Sequence, residues 1–204
     1  MSLLRKLISI PSESQNEEKV ANFLCSWLED MGMQVTLQHI SGKSYNVIAS
    51  VKGKRKEKQH KKLLLGGHID TVSANERWRT DPYCLKEDGN FLYGLGAGDM
   101  KGGIAAQVTV LKKLFDSNLD FPGEIEFIGL ADEERHSIGA HAYVKVKKTA
   151  GSADFAILAE PHYDNIVVGS MGKALLNLDI RGITGHAAMP ESGINAIDCM
   201  VLFI

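Results

Sequence analysis

Leu63-Leu64-Leu65-Gly66-Gly67-His68-Ile69-Asp70-Thr71-Val72 is the stretch that decides the fold. A short apolar run that ends at glycine predicts a buried strand of an α/β sheet. In open α/β sheets the chemistry gathers just past the carboxyl ends of such strands. His68 is therefore placed to meet a ligand, and Asp70, two residues on in extended chain, points the same way. A carboxylate beside a ligating imidazole fixes its tautomer by accepting the other ring N–H. Taken alone, His-x-Asp also describes a buried histidine hydrogen-bonded to a turn carboxylate. The segments on either side decide between the two.

On the amino-terminal side, residues 2–10 predict a short helix stopped by Pro11. Ser12 or Ser14 is then expected to cap a longer one. Val20, Ala21, Phe23, Leu24, Trp27, Leu28 and Met31 follow helical spacing, and Gly32 ends the run. Residues 34–40 and 45–51 read as a strand pair. Lysine-rich residues 52–62 carry no aromatic side chain on which bases could stack, and read as a solvated hairpin tip.

On the other side, residues 91–93 lead into Gly94-Leu95-Gly96-Ala97-Gly98-Asp99-Met100-Lys101-Gly102-Gly103. A helix follows from about 103 to 115, with Ile104, Ala105, Val108, Leu111 and Phe115 inward. Residues 124–131 alternate and form a strand, after which come Asp132-Glu133-Glu134 and a helix from near Ser137. Residues 154–159 make a further strand that ends in Glu160-Pro161-His162. Residues 165–171 and 173–181 also read as strands. A loop through His186 and the start of a helix from 193 to 204 complete the chain.

Composition narrows the function classes. The chain has 204 residues, 44% hydrophobic and 24% charged, with a net charge of -2. That balance favours neither nucleic acid nor an anionic membrane as partner. No apolar run approaches membrane-span length. Cys25, Cys84 and Cys199 are few, scattered and odd in number, which argues against a disulfide scaffold and points to the cytoplasm. The first residues read as a helix rather than a signal peptide, since Arg5 and Lys6 interrupt the apolar run.

The glycine-rich segment invites two nucleotide readings, and both fail. A dinucleotide fingerprint that starts Gly94-x-Gly96 needs glycine where Asp99 stands. A P-loop needs lysine directly after glycine and before Ser or Thr, whereas Lys101 lies between Met100 and Gly102. An aspartate among glycines suits an ion instead, because glycines let backbone approach closely and a carboxylate can bridge two ions. His68, Asp99, Glu134 and Glu160 offer an imidazole and three carboxylates. That mixture suits Zn²⁺, with Co²⁺ or Mn²⁺ as alternatives. If Glu133 and Glu134 lie at a strand end pointing apart, they cannot both be ligands of one ion, and one can bind while the other acts on water. By itself such a pair at a helix start also satisfies the helix dipole.

Gly-Gly-His-Ile-Asp-Thr-Val, Leu-Tyr-Gly-Leu-Gly-Ala-Gly-Asp-Met-Lys-Gly-Gly, Asp-Glu-Glu, Glu-Pro-His and Gly-x-x-Gly-His-Ala-Ala-Met-Pro form one ordered set. In this order they resemble the zinc amidohydrolase and peptidase family of acetylornithine deacetylase, succinyl-diaminopimelate desuccinylase, aminoacylase and the glutamate carboxypeptidases. The resemblance runs from Ile10-Pro11-Ser12 to Asn195-Ala196-Ile197. It implies an α/β fold: a three-layer catalytic domain with a mixed central sheet between helices over residues 1–171. The beginning of a small α+β lid, or dimerisation, domain would occupy 172–204. By the same resemblance, His68 and Glu160 bind one metal, Asp99 bridges to a second, and Glu134 binds that second ion. Glu133 is the general base and Asp70 orients His68. His186 matches a lid histidine that, in dimeric members, helps hold the substrate carbonyl in the partner subunit's site. The peptide Asp99–Met100 is expected to be cis.

The implied activity is hydrolysis of the amide bond of N-acyl amino acids or small peptides by metal-activated water, with two Zn²⁺ per complete site and a homodimer formed through the lid. The family's last metal ligand, a histidine that follows the lid, has no counterpart here. The chain therefore reads as ending inside the lid and as incomplete for catalysis alone. The competing expectation is a non-catalytic metal-binding or partner-binding relative, which loss of Glu133 would have favoured. Glu133 is present.

Overall fold

The computed structural model describes residues 2–55, 60–118, 120–147, 153–162, 165–169, 172, 174 and 176–203. The first elements are α1 (Ser2–Ile8), α2 (Glu18–Asp30), β1 (Gln34–Ser41), β2 (Ser44–Lys52), β3 (Lys62–His68), β4 (Lys86–Asp88) and β5 (Phe91–Tyr93). They are followed by α3 (Lys101–Asp116), β6 (Glu124–Leu130), α4 (Ile138–Lys147), β7 (Phe155–Leu158) and α5 (Ala196–Phe203). The chain divides into two compact units, Met1–Tyr163 and Asp164–Ile204.

The first unit is built on a five-stranded sheet in the order β1-β2-β6-β3-β7. β1 with β2 and β2 with β6 are antiparallel, while β3 is parallel to both β6 and β7. This is the mixed sheet that the sequence predicts, flanked by helices. Alternation along β2 sorts its two faces. Val47 and Ala49 turn into the main core with Leu24 and Leu28 of α2 and Val108 and Leu111 of α3. Asn46, on the opposite face, donates from Nδ2 to the Gly139 carbonyl of α4 at 2.8 Å and accepts the Ala131 N–H at 2.9 Å. Leu24 and Leu28 are fully buried, and each such side chain contributes about 1.5–3 kcal/mol. Leu24→Ala would cost about 2–5 kcal/mol through the cavity it leaves.

The sheet's register brings the functional segments to one edge. His68 lies opposite Leu130 and Gly66 opposite Leu158, so three parallel strands end together. Two glycines permit the close approaches that complete this edge. A Cβ on Gly67 would stand 1.9 Å from Met100 Cε, and one on Gly103 would stand 2.4 Å from the Ala159 carbonyl oxygen. α3 can therefore press its first turn against both strand ends.

Three sequence expectations need correction. α2 starts at Glu18, and its cap position is Glu17, with no side-chain cap bond. Ser12 and Ser14 do other work: their hydroxyls donate to the Ile69 carbonyl and to Asp70 Oδ2. Residues 52–62 are not a hairpin tip, because β6 lies between β2 and β3. The flanks of the lysine-rich segment instead straddle the start of β6, through Gly53 N–H to Gly123 O and Glu124 N–H to Lys61 O, each 2.8 Å. Residues 56–59 lie outside the described residues. Residues 165–169 and 176–181, both expected as strands, pair with no strand among the described residues, although 176–181 alternate; residues 170, 171, 173 and 175 lie outside the described residues. Ile166 and Val168 are 94% and 98% exposed; a strand needs a ladder partner as well as a pattern.

The second unit has an antiparallel bridge between Ile183 and Ile194, a second between His186 and Met189, a 3-10 turn over Pro190–Ser192, and α5. No helix among the described residues is long and apolar enough to cross a membrane.

Candidate metal centre

The carboxyl end of β3 delivers His68 to the edge with its side chain only 1% exposed. Its Nδ1 lies 3.0 Å from the backbone carbonyl of Asp70 and 3.4 Å from Asp70 Oδ1. Both are acceptors, so Nδ1 carries a proton and Nε2 is the atom that faces outward. Nε2 stands 3.0 Å from Asp99 Oδ1, 3.8 Å from Glu160 Oε2 and 3.9 Å from Glu133 Oε2. Three separate strand ends and the glycine-rich turn thus converge on one imidazole nitrogen.

Asp70 does more than orient the ring. Its fully buried carboxylate accepts the Ser14 hydroxyl at 2.7 Å, the Glu133 N–H at 3.1 Å and the Glu134 N–H at 3.2 Å. The ring's closer partner is the Asp70 carbonyl. One carboxylate therefore fixes the backbone of both glutamates relative to His68. Burial alone would raise its pKa, but hydrogen bonds from His68 and Ser14 hold it below the usual value.

The remaining groups feel one another's charge. Burial raises the carboxyl of Glu160; His68 offsets part of this, and the charges of Asp99 and Glu133 add to it. Glu134 is raised by burial and then by Asp99. For His68, burial works against the charged ring, yet its bond to Asp70 and the surrounding carboxylates carry its pKa up to about 9. In the absence of an ion, a proton occupies this nitrogen.

The donor set fits a metal ion. His68, Asp99 and Glu160 each offer a ligand atom, and these atoms lie within 4.8 Å of one another. Ligands of a tetrahedral zinc stand about 3.4 Å apart, and the separations of 3.0 and 3.8 Å around Nε2 straddle that figure. Glu133 and Glu134 lie outside this three-residue group among the described residues. His186 belongs to the second unit, on an exposed loop, where its Nδ1 accepts the Ala188 N–H at 3.1 Å and Nε2 has no hydrogen-bond partner among the described residues.

Residues 64–193 match peptidase family M20/M25/M40. The chain belongs to that family. It is 35% identical over 210 residues to acetylornithine deacetylase of Yersinia pseudotuberculosis, covering 98% of this chain and 53% of the relative. The chain spans about half the length of the curated relatives it matches. Human carnosine dipeptidase 1 superposes with a TM-score of 0.70 at 22% identity, covering 79% of this chain and 38% of that one. An M20 family metallo-carboxypeptidase from Sulfolobus solfataricus gives 0.66 at 24% identity, covering 76% and 36%. These likenesses show the fold, and M20 membership with the candidate ligand group shows a metal-dependent hydrolase family.

Sequence reasoning missed two supports of the M20 centre, the contact of Met100 with His68 and the anchorage of Lys101. Asp99–Met100 is cis, as the resemblance implies, and Met100 Sδ lies 3.1 Å from the His68 N–H. Lys101, read only as a misplaced P-loop lysine, is 2% exposed. Its ammonium donates to the Leu7 and Ile10 carbonyls, each at 2.9 Å, and so ties the Asp99 turn to the end of α1. Burial lowers its pKa to about 8. A lysine two residues after a candidate ligand was the available signal; its burial depends on α1, which lies some ninety residues away in sequence.

Proposed function

We propose that this chain carries the amino-terminal catalytic half-site of a zinc-dependent amidohydrolase acting on N-acyl amino acids or small peptides. The observation that carries the reading is the convergence of Asp99, Glu160 and Glu133 on His68 Nε2 within 3.0–3.9 Å. His68, Asp99 and Glu160 would hold an ion, and Glu134 would serve a second through the shared Asp99. Bound there, zinc would polarise the amide carbonyl and acidify water. Cobalt or manganese would satisfy the same donors.

The chain's own residues handle the proton. Glu133, half exposed and with its backbone held by Asp70, takes a proton from water and passes it to the leaving amine. Asp70 keeps Nδ1 of His68 protonated, so that Nε2 remains the outward atom. His186 would steady the substrate carbonyl from the lid of a partner copy. We assign residues 1–171 to the catalytic domain and 172–204 to that lid. The exposed Ile197, Val201, Leu202 and Phe203 of α5 support a homodimer formed through it. Three unpaired thiols support a cytoplasmic setting.

The relatives' names suggest N-acetylornithine and short peptides as first substrates. The test is amine release from these compounds by the natural polypeptide, before and after chelation. Metal-dependent release that Glu133→Gln abolishes while the metal stays bound is the expected result. Release that survives both chelation and Glu133→Gln would refute the reading.

A further inference from the structure

The connection from β3 to α3 leaves the site at His68 and returns at Asp99, and its middle part builds a cleft that the hydrolytic reading does not use. The cleft measures about 590 Å³, and its lining includes Arg77, Trp78, Arg79, Lys86, Asp88 and Tyr93. Three cations face one carboxylate there, in a chain whose net charge is -2. Lys86 and Asp88 stand 3.9 Å apart, beyond hydrogen-bond reach. Among the described residues, the guanidinium groups of Arg77 and Arg79 have no hydrogen bond or ion pair.

The backbone that presents these groups is held in place. Asn75 Oδ1 accepts the Arg77 N–H at 2.9 Å, and the Asn75 carbonyl accepts the Trp78 N–H at 3.3 Å. Asp81 Oδ1 accepts the Tyr83 N–H at 2.9 Å. Arg5 reaches from α1 to the Leu85 carbonyl and to Glu87, anchoring the β4 side. Two unpaired guanidinium forks beside two aromatic side chains match a ligand that has a carboxylate at one end and a flat or apolar group at the other. Arginine forks recognise carboxylate in a bidentate manner, and Trp and Tyr offer broad amphipathic faces.

We propose that this cleft binds a small carboxylate of the N-acyl amino acid type, with its carboxylate on Arg77 and Arg79 and its acyl group against Trp78 and Tyr93. Only the choice of ligand class rests on the proposed amidohydrolase function. Binding itself needs no metal. The chain has two tryptophans, Trp27 and Trp78, so Trp27→Phe leaves Trp78 as the sole reporter.

The test titrates hippurate, an aromatic N-acyl amino acid, into the chelator-treated 204-residue chain. Calorimetry follows the wild type, and fluorescence follows Trp27→Phe. Hippuramide, which lacks the carboxylate, is the control probe. Expected are saturable heat, saturable change in Trp78 emission and binding that weakens with salt. Arg77→Ala and Arg79→Ala should each weaken hippurate about tenfold, the loss of one charge-assisted contact. Both exposed-arginine variants should keep the wild-type circular dichroism. No saturable binding, equal binding of hippuramide, or unchanged affinity in the double arginine variant would overturn the proposal. Since metal is absent throughout, a failure here leaves the metal-centre reading to its own tests.

Discussion

The two ends of the parallel strands β3, β6 and β7 carry opposite charge patterns. Where the strands start, each sign finds its opposite: Lys61 pairs with Asp154 at 2.7 Å, and Lys62 lies 2.9 Å from Glu126 and 3.5 Å from Glu124. Where they finish, Asp70, Asp99, Glu133, Glu134 and Glu160 gather around one imidazole. Among the described residues no Lys or Arg forms a salt bridge with any of them. Like charges held this close destabilise one another unless something positive joins them. The starting end uses charge to fasten the fold, whereas the finishing end leaves negative charge that, on the proposed reading, a cation would join. That contrast separates a structural charge cluster from a functional one more clearly than any single residue does.

The largest expected effect lies at the finishing end. Glu133→Gln should lower kcat about 10²- to 10⁴-fold, the usual weight of a general base, and leave metal content unchanged. Glu134→Gln should instead weaken one metal. Metal analysis beside steady-state kinetics separates the two, and equal metal loss in both variants would overturn the division of roles. Asp70→Asn should cost about 10- to 100-fold in metal affinity. The Asp70 carbonyl still holds the ring at 3.0 Å, but an amide cannot replace an acceptor shared by Ser14 and two backbone N–H groups. Unaltered affinity in that variant would mean that the carboxylate does not set the site.

Protonation gives an intermediate effect. In the metal-free protein, His68 is raised from 6.5 to about 9. Its contribution is therefore fully present below about pH 6.5 and is lost as pH rises through 9. Lys101, lowered from 10.5 to about 8, acts with the opposite sign: the unfolded chain keeps its proton longer, so stability recovers between about pH 8 and 10.5. Urea midpoints measured in chelator should fall from pH 6.5 to 8 and rise again above 9. A steady rise across the whole range would contradict the raised histidine. The smallest effect belongs to the starting end. Lys61→Ala removes an exposed pair and should cost about 0–1 kcal/mol, with metal affinity untouched. A change in metal binding there would erase the contrast between the two ends.

Much of this arrangement was legible because each site residue follows a strand or glycine signal in its own neighbourhood. Leu63–Gly67 announces a strand whose end exposes His68, and the residues after 124–131 and 154–159 announce Glu133, Glu134 and Glu160 in the same way. What escaped was tertiary. Ser12 and Ser14 look like helix caps, since a hydroxyl that caps a helix and one that supports a carboxylate have the same local sequence. The insertion of β6 between β2 and β3 depends on a segment some sixty residues away, so residues 52–62 read as a hairpin. Lys101 and the Asp70 carboxylate gain their roles only when α1 and the Glu133 turn pack against them. Residues 176–181 alternate like a strand, yet alternation says nothing about whether a partner lies alongside.

We assign His68 and the carboxylates around it to a metal centre. Equilibrium dialysis of the purified chain against zinc, read by elemental analysis, tests this claim most directly, with His68→Ala and Asp99→Ala alongside. At pH 7 the wild type should retain at least one zinc per chain. Because His68 is protonated when metal-free, each ion bound through it should release about one proton. Both variants should lose that zinc while keeping the wild-type fold by circular dichroism. Retention of zinc by His68→Ala at the wild-type level, or no zinc on the wild type, would contradict the claim.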